Sequence, residues 1–290
     1  MLDCIIIGGG PAGLTAALYL ARFRRSVTVL DAGGGRARLI PATHNFAPFP
    51  DGIAGPDLLD HMRASAERYG ASILPERAVS IAVDDAGFRV VTNGQSHRAR
   101  ALVLATGVTN HRPPLSEADH ARALAQGLIR YCPVCDGYEA RDMRIAVLGA
   151  GRHGANEARF LGQFSSDVTL IAPAGYIYSA DVAVADAPLA DLALTKTEVV
   201  ATLVSGAVLT FDTLYAALGT TPCTDLAAAL GVRLTDDGLV KVDAHQRTSV
   251  NGVYAVGDLT EALDQIGVAM GQAAIAATAL HNDLSERDRR

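Results

Sequence analysis

Two cysteines separated by two residues carry the clearest chemical signal in the sequence. Cys132 and Cys135 lie in the run CPVCDG. The C-x-x-C spacing lets two sulfurs form a tight disulfide and lowers the pKa of one thiol, which thiol–disulfide exchange requires. Asp136 follows the second cysteine directly, where a carboxyl group could donate and accept the proton that exchange moves. The run therefore predicts a redox-active dithiol with an acid–base partner.

The same cysteine pair could instead be half of a zinc site, or two unrelated buried cysteines. A structural zinc ion takes four ligands, so two more would have to come from elsewhere. Cys4 and Cys223 have no partner at a motif spacing, and His97, His111 and His120 are scattered. The pattern favours redox chemistry over zinc binding, and no metal ligand is assigned.

A glycine-rich loop near the start of the chain predicts a dinucleotide site. Residues 8–13, GGGPAG, follow a strand pattern and begin a helical one. Gly8 permits the tight turn, Gly10 lets the backbone approach a pyrophosphate, and Gly13 lets the helix pack on the strand. Asp31 ends the next strand pattern, where a carboxylate accepts ribose hydroxyls.

A second glycine loop, GAGRHG at 149–154, also lies between a strand pattern and a helix pattern. The next strand ends in Ile-Ala-Pro at 171–173, which offers neither a carboxylate for a ribose nor an Arg for a 2′-phosphate. Lys196 is the only cation in the stretch that follows, and Asp181 and Asp186 would repel a phosphate if they lay nearby. Binding of NAD(P)H at this loop is therefore doubtful.

Another carboxylate, Asp258, ends the run GVYAVGD and precedes a helical pattern that begins at Gln265. A carboxylate at a strand end suits the hydroxyl groups of a polyol. A Gly-Asp pair after a strand is also a common turn. This run therefore indicates a cofactor site only in combination with the first glycine loop.

The elements that must position these residues follow an α/β pattern. A strand, a glycine loop, a helix and a second strand occur at the start of the chain and again near its middle. A repeat of this size indicates a second nucleotide-binding unit rather than a solenoid. Strands are predicted at 4–7, 27–30, 80–83, 88–92, 101–105, 144–148, 168–171 and 253–256, and helices at 12–23, 57–69, 155–164 and 265–281.

Composition limits the classes of partner. The net charge is −6 and the sequence pI about 5.7, and no Lys/Arg run of the kind that nucleic-acid binding needs is present. The long uncharged stretch at 4–21 contains GGGP and follows Asp3, which argues against both a spanning helix and a secretory signal. We expect a cytoplasmic protein without nucleic-acid or membrane partners.

Taken together, these motifs resemble the low-molecular-weight thioredoxin reductase family, over nearly the whole chain. Their order and spacing match as well as their residues. The runs that carry the resemblance are 8–13, 43–46 around Asn45, 105–107, 132–137, 149–154, 219–222 and 252–258.

The resemblance implies an α/β fold with two Rossmann-like dinucleotide-binding domains, the second inserted in the first. The FAD-binding domain would comprise 1–112 and 242–290, and 113–241 would form a second nucleotide-binding-like domain that carries the dithiol. A homodimer is implied as well. The residues that would hold FAD are Gly8, Gly10, Ala12, Gly13, Asp31, Asn45, Thr106, Gly107, Asp258 and Gln265.

The resemblance also implies roles for the dithiol residues. Cys135 would react with the flavin, Cys132 would exchange with the substrate, and Asp136 would handle the proton. The predicted enzyme is an FAD-dependent thiol–disulfide oxidoreductase. Its partner would be a disulfide or dithiol substrate, either a small protein or a small molecule.

Departures from the family pattern leave the other electron partner open. The family has a His-Arg-Arg run for the NADPH 2′-phosphate where 171–173 stand here. Arg36 stands where the family has a flavin-side Gln, and Asp264 where it has Arg. The dithiol run is similar to that of the gliotoxin-type dithiol oxidases. Alternatives are therefore a dithiol oxidase that uses O₂ without NADPH, a ferredoxin-fed disulfide reductase, or a zinc- or FAD-binding protein without turnover.

Overall fold

A computed structural model describes residues 1–84, 86–173 and 182–289. The strands are, in chain order, β1 (Leu2–Ile7), β2 (Val27–Leu30), β3 (Ser72–Leu74), β4 (Ala78–Asp84), β5 (Gly87–Thr92), β6 (Ser96–Leu104), β7 (Val108–Asn110), β8 (Ile129–Arg130), β9 (Ile145–Gly149), β10 (Val168–Ile171), β11 (Ala183–Val184), β12 (Leu189–Leu194), β13 (Val199–Leu203), β14 (Val208–Phe211), β15 (Thr213–Ala217), β16 (Thr220–Pro222) and β17 (Val253–Ala255). The helices are α1 (Pro11–Arg22), α2 (Gly55–Glu67), α3 (Glu117–Ala125), α4 (Pro133–Asp136), α5 (Gly151–Leu161), α6 (Asp225–Ala229) and α7 (Ile266–Asp288), with 3₁₀ turns at Arg36–Leu39 and Gly257–Leu259.

These elements form two compact units. The first comprises Met1–Arg38, Gly55–Thr109 and Pro222–Arg290, and the second comprises Leu39–Ala54 and Asn110–Thr221. The chain leaves the first unit twice and returns to it each time. This path agrees with a second unit that is inserted in the first.

The first unit is built on a sheet with the strand order β3-β2-β1-β6-β5-β4, in which β17 also pairs with β6. β3, β2, β1, β6 and β17 are parallel, whereas β4 and β5 add an antiparallel extension. Ile7 pairs with both Leu30 and Leu104, and Leu104 pairs with Ala255. β1, β2, β6 and β17 therefore end at one edge of the sheet, which is where ligands bind in doubly wound folds.

Small side chains let α1 and α7 pack closely beside this sheet. Ala16 and Leu20 of α1 belong to the same buried apolar cluster as Ala273 and Leu280 of α7. α1 begins at Pro11, whose fixed φ and missing N–H suit the first position of a helix. The first glycine loop therefore lies between β1 and a helix whose first turn is restricted by Pro11.

The second unit contains a parallel sheet with the order β11-β10-β9-β15-β8 and a separate antiparallel sheet, β12-β13-β14. β9 leads into the second glycine loop and α5, which repeats the beginning of the first unit. Every residue of β15, TLYAA, is buried. A polar side chain on this strand must therefore find its partner inside the protein.

α1 and α2 lie within two residues of their predicted bounds, whereas α5 and α7 differ by more and α3, α4 and α6 were not predicted. α5 begins at Gly151 rather than at 155, because the glycine loop itself forms the first helical turn. α7 continues past 281 to Asp288, since Leu284 stays buried in the same apolar cluster as the preceding turns of the helix. α3 is unpredicted and begins after Ser116, whose hydroxyl accepts the Asp119 N–H. None of the described helices combines the length and apolar character that crossing a bilayer requires.

Candidate active site

The predicted dithiol lies at the start of a short helix in the second unit. Cys132 immediately precedes α4 and forms a disulfide with Cys135, with the two Cα atoms 5.2 Å apart. The Cys135 N–H also donates to the Cys132 sulfur at 3.1 Å. Both cysteines are half-buried, and the neighbouring Val134 and Tyr138 are exposed. The predicted disulfide is therefore present and partly accessible.

Asp136 ends the same helix, and each of its carboxylate oxygens has a partner. Arg130 of β8 donates to Oδ2 at 2.9 Å, and the Tyr215 hydroxyl donates to Oδ1 at 2.9 Å. The same hydroxyl lies 3.1 Å from the backbone carbonyl oxygen of Asp136. Tyr215 is fully buried on β15, so its ring holds the hydroxyl in place.

Burial dominates the proton affinity of this carboxyl group. Burial raises the pKa of Asp136, whereas the Arg130 guanidinium and the Tyr215 hydroxyl lower it and the Glu139 carboxylate raises it further. Burial and the Asp136 carboxylate both raise the pKa of Tyr215, which keeps the phenol neutral. A carboxyl group with a raised pKa beside a dithiol can serve as a general acid and base.

The described chain contains no group of three or more His, Cys, Asp or Glu side chains that could hold a metal ion. The remaining cysteines do not join the dithiol, since Cys4 is a buried free thiol and Cys223 a half-buried one. Both sulfurs of the C-x-x-C pair are used in the disulfide.

Most residues predicted to hold FAD follow the parallel strands of the first unit. Gly8 follows β1, Asp31 follows β2, Thr106 lies just beyond β6, and Asp258 lies just beyond β17. The last residues of these strands are in register, so the four segments leave the same edge of the sheet. The sequence could place each residue at a strand end, and the register brings them together.

The first glycine loop has the shape that a pyrophosphate requires. A Cβ on Gly13 would lie 1.9 Å from the Gly8 carbonyl oxygen, so only glycine allows α1 to approach the loop this closely. A Cβ on Gly10 would meet nothing within 4 Å. Open space therefore lies in front of Gly10, at the helix start where backbone N–H groups favour an anion. These residues fit the pyrophosphate of FAD.

Arg36 is paired with two carboxylates at the same edge. Its Nη2 lies 2.7 Å from Asp258 Oδ2 and 2.9 Å from Asp264 Oδ2. Burial and the Asp258 carboxylate raise the pKa of Asp264, while Arg36 lowers it. The two departures from the family pattern, Arg36 and Asp264, therefore form an ion pair with each other.

Asp31 and Thr106 each have partners within the first unit. The Asp31 carboxylate accepts the Gly33 N–H at 3.0 Å and the Arg63 guanidinium at 2.9 Å. The Thr106 hydroxyl donates to the Cys223 carbonyl oxygen at 2.7 Å. These contacts fix both side chains near the ends of their strands.

The remaining predicted FAD residues lie in different parts of the chain. Ala12 is buried in the first turn of α1, Gly107 has a left-handed φ of 63°, and Gln265 immediately precedes α7. Asn45 belongs to the segment Leu39–Ala54 of the second unit, where the Thr43 hydroxyl donates to its Oδ1. Asn45 is therefore the one predicted FAD residue outside the first unit.

The second glycine loop borders a pocket of about 400 Å³. Its lining consists of Ala150, His153, Pro173, Ala217, Leu218 and Gly219. Among these described residues there is no Arg, Lys or carboxylate. Asp186 is exposed, and Asp181 lies outside the described residues. A Cβ on Gly154 would lie 2.9 Å from the Gly149 carbonyl carbon, so the helix packs closely on this loop. The described pocket lining lacks the charges that select a 2′-phosphate or a ribose.

The model of the pyridine nucleotide-disulphide oxidoreductase family matches residues 2–273 of the chain. The chain belongs to this family. The thioredoxin reductase of Streptomyces coelicolor is 35% identical over 290 residues, covering 89% of this chain and 86% of the relative. That of Mycolicibacterium smegmatis is 31% identical, covering 99% and 97%.

Solved structures of this pyridine nucleotide-disulphide oxidoreductase fold match the whole chain. The crystal structure of HlmI has a TM-score of 0.90 at 28% identity and covers 99% of this chain and 93% of its own. The thioredoxin reductase of Streptococcus pyogenes MGAS5005 has a TM-score of 0.88 at 29% identity and covers 99% of both chains. The predicted α/β fold with two Rossmann-like domains, one inserted in the other, is confirmed, as is the family resemblance.

This pyridine nucleotide-disulphide oxidoreductase is an FAD-dependent enzyme similar to thioredoxin reductases. It passes electrons between flavin, the Cys132/Cys135 dithiol and a disulfide or dithiol substrate. The predicted enzyme class and the FAD cofactor are confirmed, and neither the oxidase, the ferredoxin route nor a protein without turnover is needed to explain these matches.

Arg130 and Tyr215 contact the Asp136 carboxylate but are not among the residues that the sequence predicts. One signal was present for Tyr215: a phenol in a fully buried strand requires a hydrogen-bond partner. No sequence signal identifies Asp136 as that partner, because β15 and α4 are far apart in the chain.

Proposed function

We propose that Cys132 exchanges with the substrate disulfide, that Cys135 exchanges electrons with the flavin, and that Asp136 carries the proton. The observation that carries this proposal is the partly accessible disulfide followed directly by a half-buried, paired carboxyl group. The Cys135 N–H beside the Cys132 sulfur would stabilise a thiolate there, as a substrate-attacking sulfur requires. Bound FAD supplies or accepts the two electrons that open or close the disulfide.

We also propose the set of residues that holds FAD. Gly10 would lie against the pyrophosphate, and Asp258, oriented by Arg36, would accept a polyol hydroxyl. The full set is Gly8, Gly10, Ala12, Gly13, Asp31, Asn45, Thr106, Gly107, Asp258 and Gln265. The corresponding domain boundaries would be 1–112 and 242–290 for the FAD-binding domain and 113–241 for the dithiol domain.

For the second glycine loop we propose weak discrimination between NADPH and NADH. Selection of NADPH needs an Arg or Lys clamp for the 2′-phosphate. The described lining of the pocket beside this loop has no such cation and includes the apolar residues Pro173 and Leu218. Arg152, which follows Gly151 at the start of α5, could still approach a pyrophosphate. Flavin reduction by NADPH is therefore expected to be slow, without a strong preference over NADH, and slower than reduction by a suitable dithiol.

Anaerobic stopped-flow mixing tests the electron route. The FAD-loaded chain would be mixed in turn with NADPH, NADH and a small dithiol while the flavin absorbance is followed. The proposal expects similar slow bleaching by both nucleotides and faster bleaching by the dithiol. Rapid, saturable reduction at micromolar NADPH, with NADH inert, would contradict it and require a phosphate clamp from other residues.

Partner and assembly complete the proposal. A small disulfide protein or a small dithiol would be the substrate, because the exposed Val134 and Tyr138 flank a half-buried disulfide that a partner must approach. We propose a cytoplasmic homodimer that has no nucleic-acid partner. Sedimentation equilibrium of the FAD-loaded chain tests the dimer, and a concentration-independent monomer mass would contradict it.

A further inference from the structure

We propose that Tyr215 is the positioning residue that confines the proton of Asp136 to one carboxylate oxygen, Oδ1, and keeps both protonation states hydrogen-bonded. This inference rests on the proposed role of Asp136 as the proton carrier. It assigns to a buried strand residue a task that the dithiol motif does not contain.

Arg130 determines which oxygen can be protonated. A guanidinium only donates hydrogen bonds and has no acceptor. Arg130 Nη1 lies 2.9 Å from Asp136 Oδ2, so a proton on that oxygen would face an N–H and lose the pairing. The proton therefore goes to Oδ1, the oxygen that faces Tyr215.

The Tyr215 hydroxyl can satisfy Oδ1 in both states, because a phenol both donates and accepts. It has two acceptors on the same residue, Asp136 Oδ1 at 2.9 Å and the Asp136 carbonyl oxygen at 3.1 Å. In the ionised state the hydroxyl donates to Oδ1. In the protonated state it turns its hydrogen to the carbonyl oxygen and accepts from the Oδ1–H group. Neither state leaves a buried polar atom unpaired, which would be costly.

The proton step can be written for opening of the disulfide. The two sulfurs take up two electrons, which the flavin of this enzyme class supplies, and the S–S bond breaks. The Oδ1–H bond of Asp136 breaks, an S–H bond forms on one sulfur, and the other sulfur remains a thiolate. Asp136 is left as a carboxylate, and the Tyr215 hydroxyl turns back to Oδ1. Closure of the disulfide reverses each change.

Other groups set the pKa around which Asp136 gains and loses its proton. Burial favours the protonated form, Arg130 and Tyr215 favour the carboxylate, and the nearby Glu139 carboxylate opposes a second negative charge. Tyr215 itself does not ionise in the usual pH range, since burial and Asp136 raise its pKa. Tyr215 therefore acts through its hydrogen bond alone.

The first unit contains the same three residue types in a different arrangement, which provides a matched control. Arg247 donates to both carboxylate oxygens of Asp283, at 2.8 and 2.7 Å. The Tyr254 hydroxyl donates to Oδ2, which already faces the guanidinium. No oxygen of Asp283 is left for a proton, and hydrogen bonding to Arg247 lowers its pKa, offset in part by burial. Asp136 has one carboxylate oxygen without an Arg contact and can therefore carry a proton there. Both oxygens of Asp283 contact Arg247, so Asp283 forms a structural ion pair instead.

Titration of the Asp136 carboxyl carbon tests the inference directly. The FAD-loaded full chain would carry ¹³C-labelled Asp, and the Asp136 resonance would be identified by its loss in Asp136→Asn. Tyr215→Phe is expected to raise the titration midpoint by about one pH unit, since the carboxylate loses a donor. 3-Fluorotyrosine at position 215, a stronger donor of nearly the same size, should lower it. Tyr254→Phe should leave it unchanged.

The outcomes separate this inference from the proposed function. An Asp136 midpoint that does not respond to Tyr215→Phe, or that moves in the same direction with 3-fluorotyrosine, would overturn the role of Tyr215. The pH profile of disulfide reduction tests the role of Asp136 separately. If Asp136→Asn leaves that profile unchanged, Asp136 is not the proton carrier, whatever the midpoint does. Support requires both the opposite midpoint shifts and a profile that follows the midpoint in Tyr215→Phe.

Discussion

The two sulfurs of the dithiol have unequal surroundings although they share one bond. Cys132 precedes α4, and its sulfur accepts the Cys135 N–H, whereas Cys135 lies within the helix next to Asp136. After reduction the same N–H can stabilise negative charge on Cys132, which supports the proposed attack of this cysteine on a substrate. The proposed division of roles between the two cysteines would follow from their place at the helix start.

Single substitutions should separate these roles. Cys135→Ser is expected to abolish electron transfer between flavin and substrate. Cys132→Ser should leave a Cys135 thiolate that gives a long-wavelength absorbance shoulder with oxidised flavin. Cys223→Ser, which changes a half-buried free thiol, serves as the control and should retain turnover. If both dithiol variants behave like this control in spectra and turnover assays, the disulfide is only structural.

A buried carboxyl group in α5 makes stability depend on pH. Burial raises the pKa of Glu157 from 4.5 to about 7. Its Oε2 is buried without a partner among the described residues, while Oε1 lies 3.2 Å from His153 Nε2. The folded chain thus holds a proton that the unfolded chain has released, so stability should fall as pH rises through this window.

Glu157→Gln should remove this dependence. We expect the variant to be more stable than the parent at about pH 8, by on the order of 2 kcal/mol, and about equal at about pH 4. Urea unfolding at several pH values measures the difference. Glu117→Gln changes a side chain that is 90% exposed and should leave the profile as it was. If the free energy of unfolding of Glu157→Gln depends on pH as it does in the parent, Glu157 does not cause the dependence.

At the scale of elements, the carboxyl edge of the first sheet brings together most of the residues that we propose to hold FAD. Each of β1, β2, β6 and β17 contributes the residues that follow it, and the register of the pairs aligns these segments. The glycine loop after β1 then requires open space rather than a specific side chain. Substitution at Gly10 should therefore affect cofactor binding more than folding.

Gly10→Val is expected to fold but to lower FAD affinity by at least about tenfold, because the side chain enters the space meant for the pyrophosphate. Flavin content and equilibrium titration of the apoprotein measure the effect. Gly94→Val is the matched control, since a Cβ there also meets nothing within 4 Å but lies in the turn before β6. Full FAD occupancy in Gly10→Val would remove this residue from the site.

Apolar runs rich in β-branched residues could be predicted from the sequence, and the shortest elements could not. β2 and β10, VTVL and VTLI, match their predictions residue for residue. β8 has only two residues, and the four residues of α4 are too few for a helical period to appear. The contact between Tyr215 and Asp136 could not be predicted either, because it joins residues that are far apart in the chain and leaves no local sequence pattern.

At the scale of the whole molecule, the last helix closes the first unit. α7 packs with α1 in one apolar cluster, and Arg247 ties the segment before β17 to Asp283 of α7. This ion pair spans residues that only the complete first unit brings together. Hydrogen bonding to Arg247 lowers the pKa of Asp283, so the pair stabilises the fold above about pH 4 and is lost as pH falls.

Arg247→Met is expected to lower the free energy of unfolding by about 1–2 kcal/mol at neutral pH, because a paired carboxylate loses charge-assisted hydrogen bonds. The difference from the parent should shrink below about pH 4, where Asp283 takes up a proton. Chemical unfolding monitored by circular dichroism measures both values. Arg287→Met, which removes a hydrogen bond to Asn251 and a weaker charge interaction with Asp283, should have a smaller effect. Equal effects of the two substitutions would show that the Arg247–Asp283 ion pair does not contribute specifically to stability.

The order in which a ribosome makes these strands has a consequence of its own. Both segments of the second unit, Leu39–Ala54 and Asn110–Thr221, are synthesised before Pro222–Arg290. During that interval β6 has no β17 beside it and the apolar face of α1 has no α7. At roughly 5–20 residues per second, the interval between β6 and β17 lasts on the order of ten seconds. The first unit therefore completes its sheet, and gains Asp258 and Gln265, only after both segments of the second unit have been synthesised.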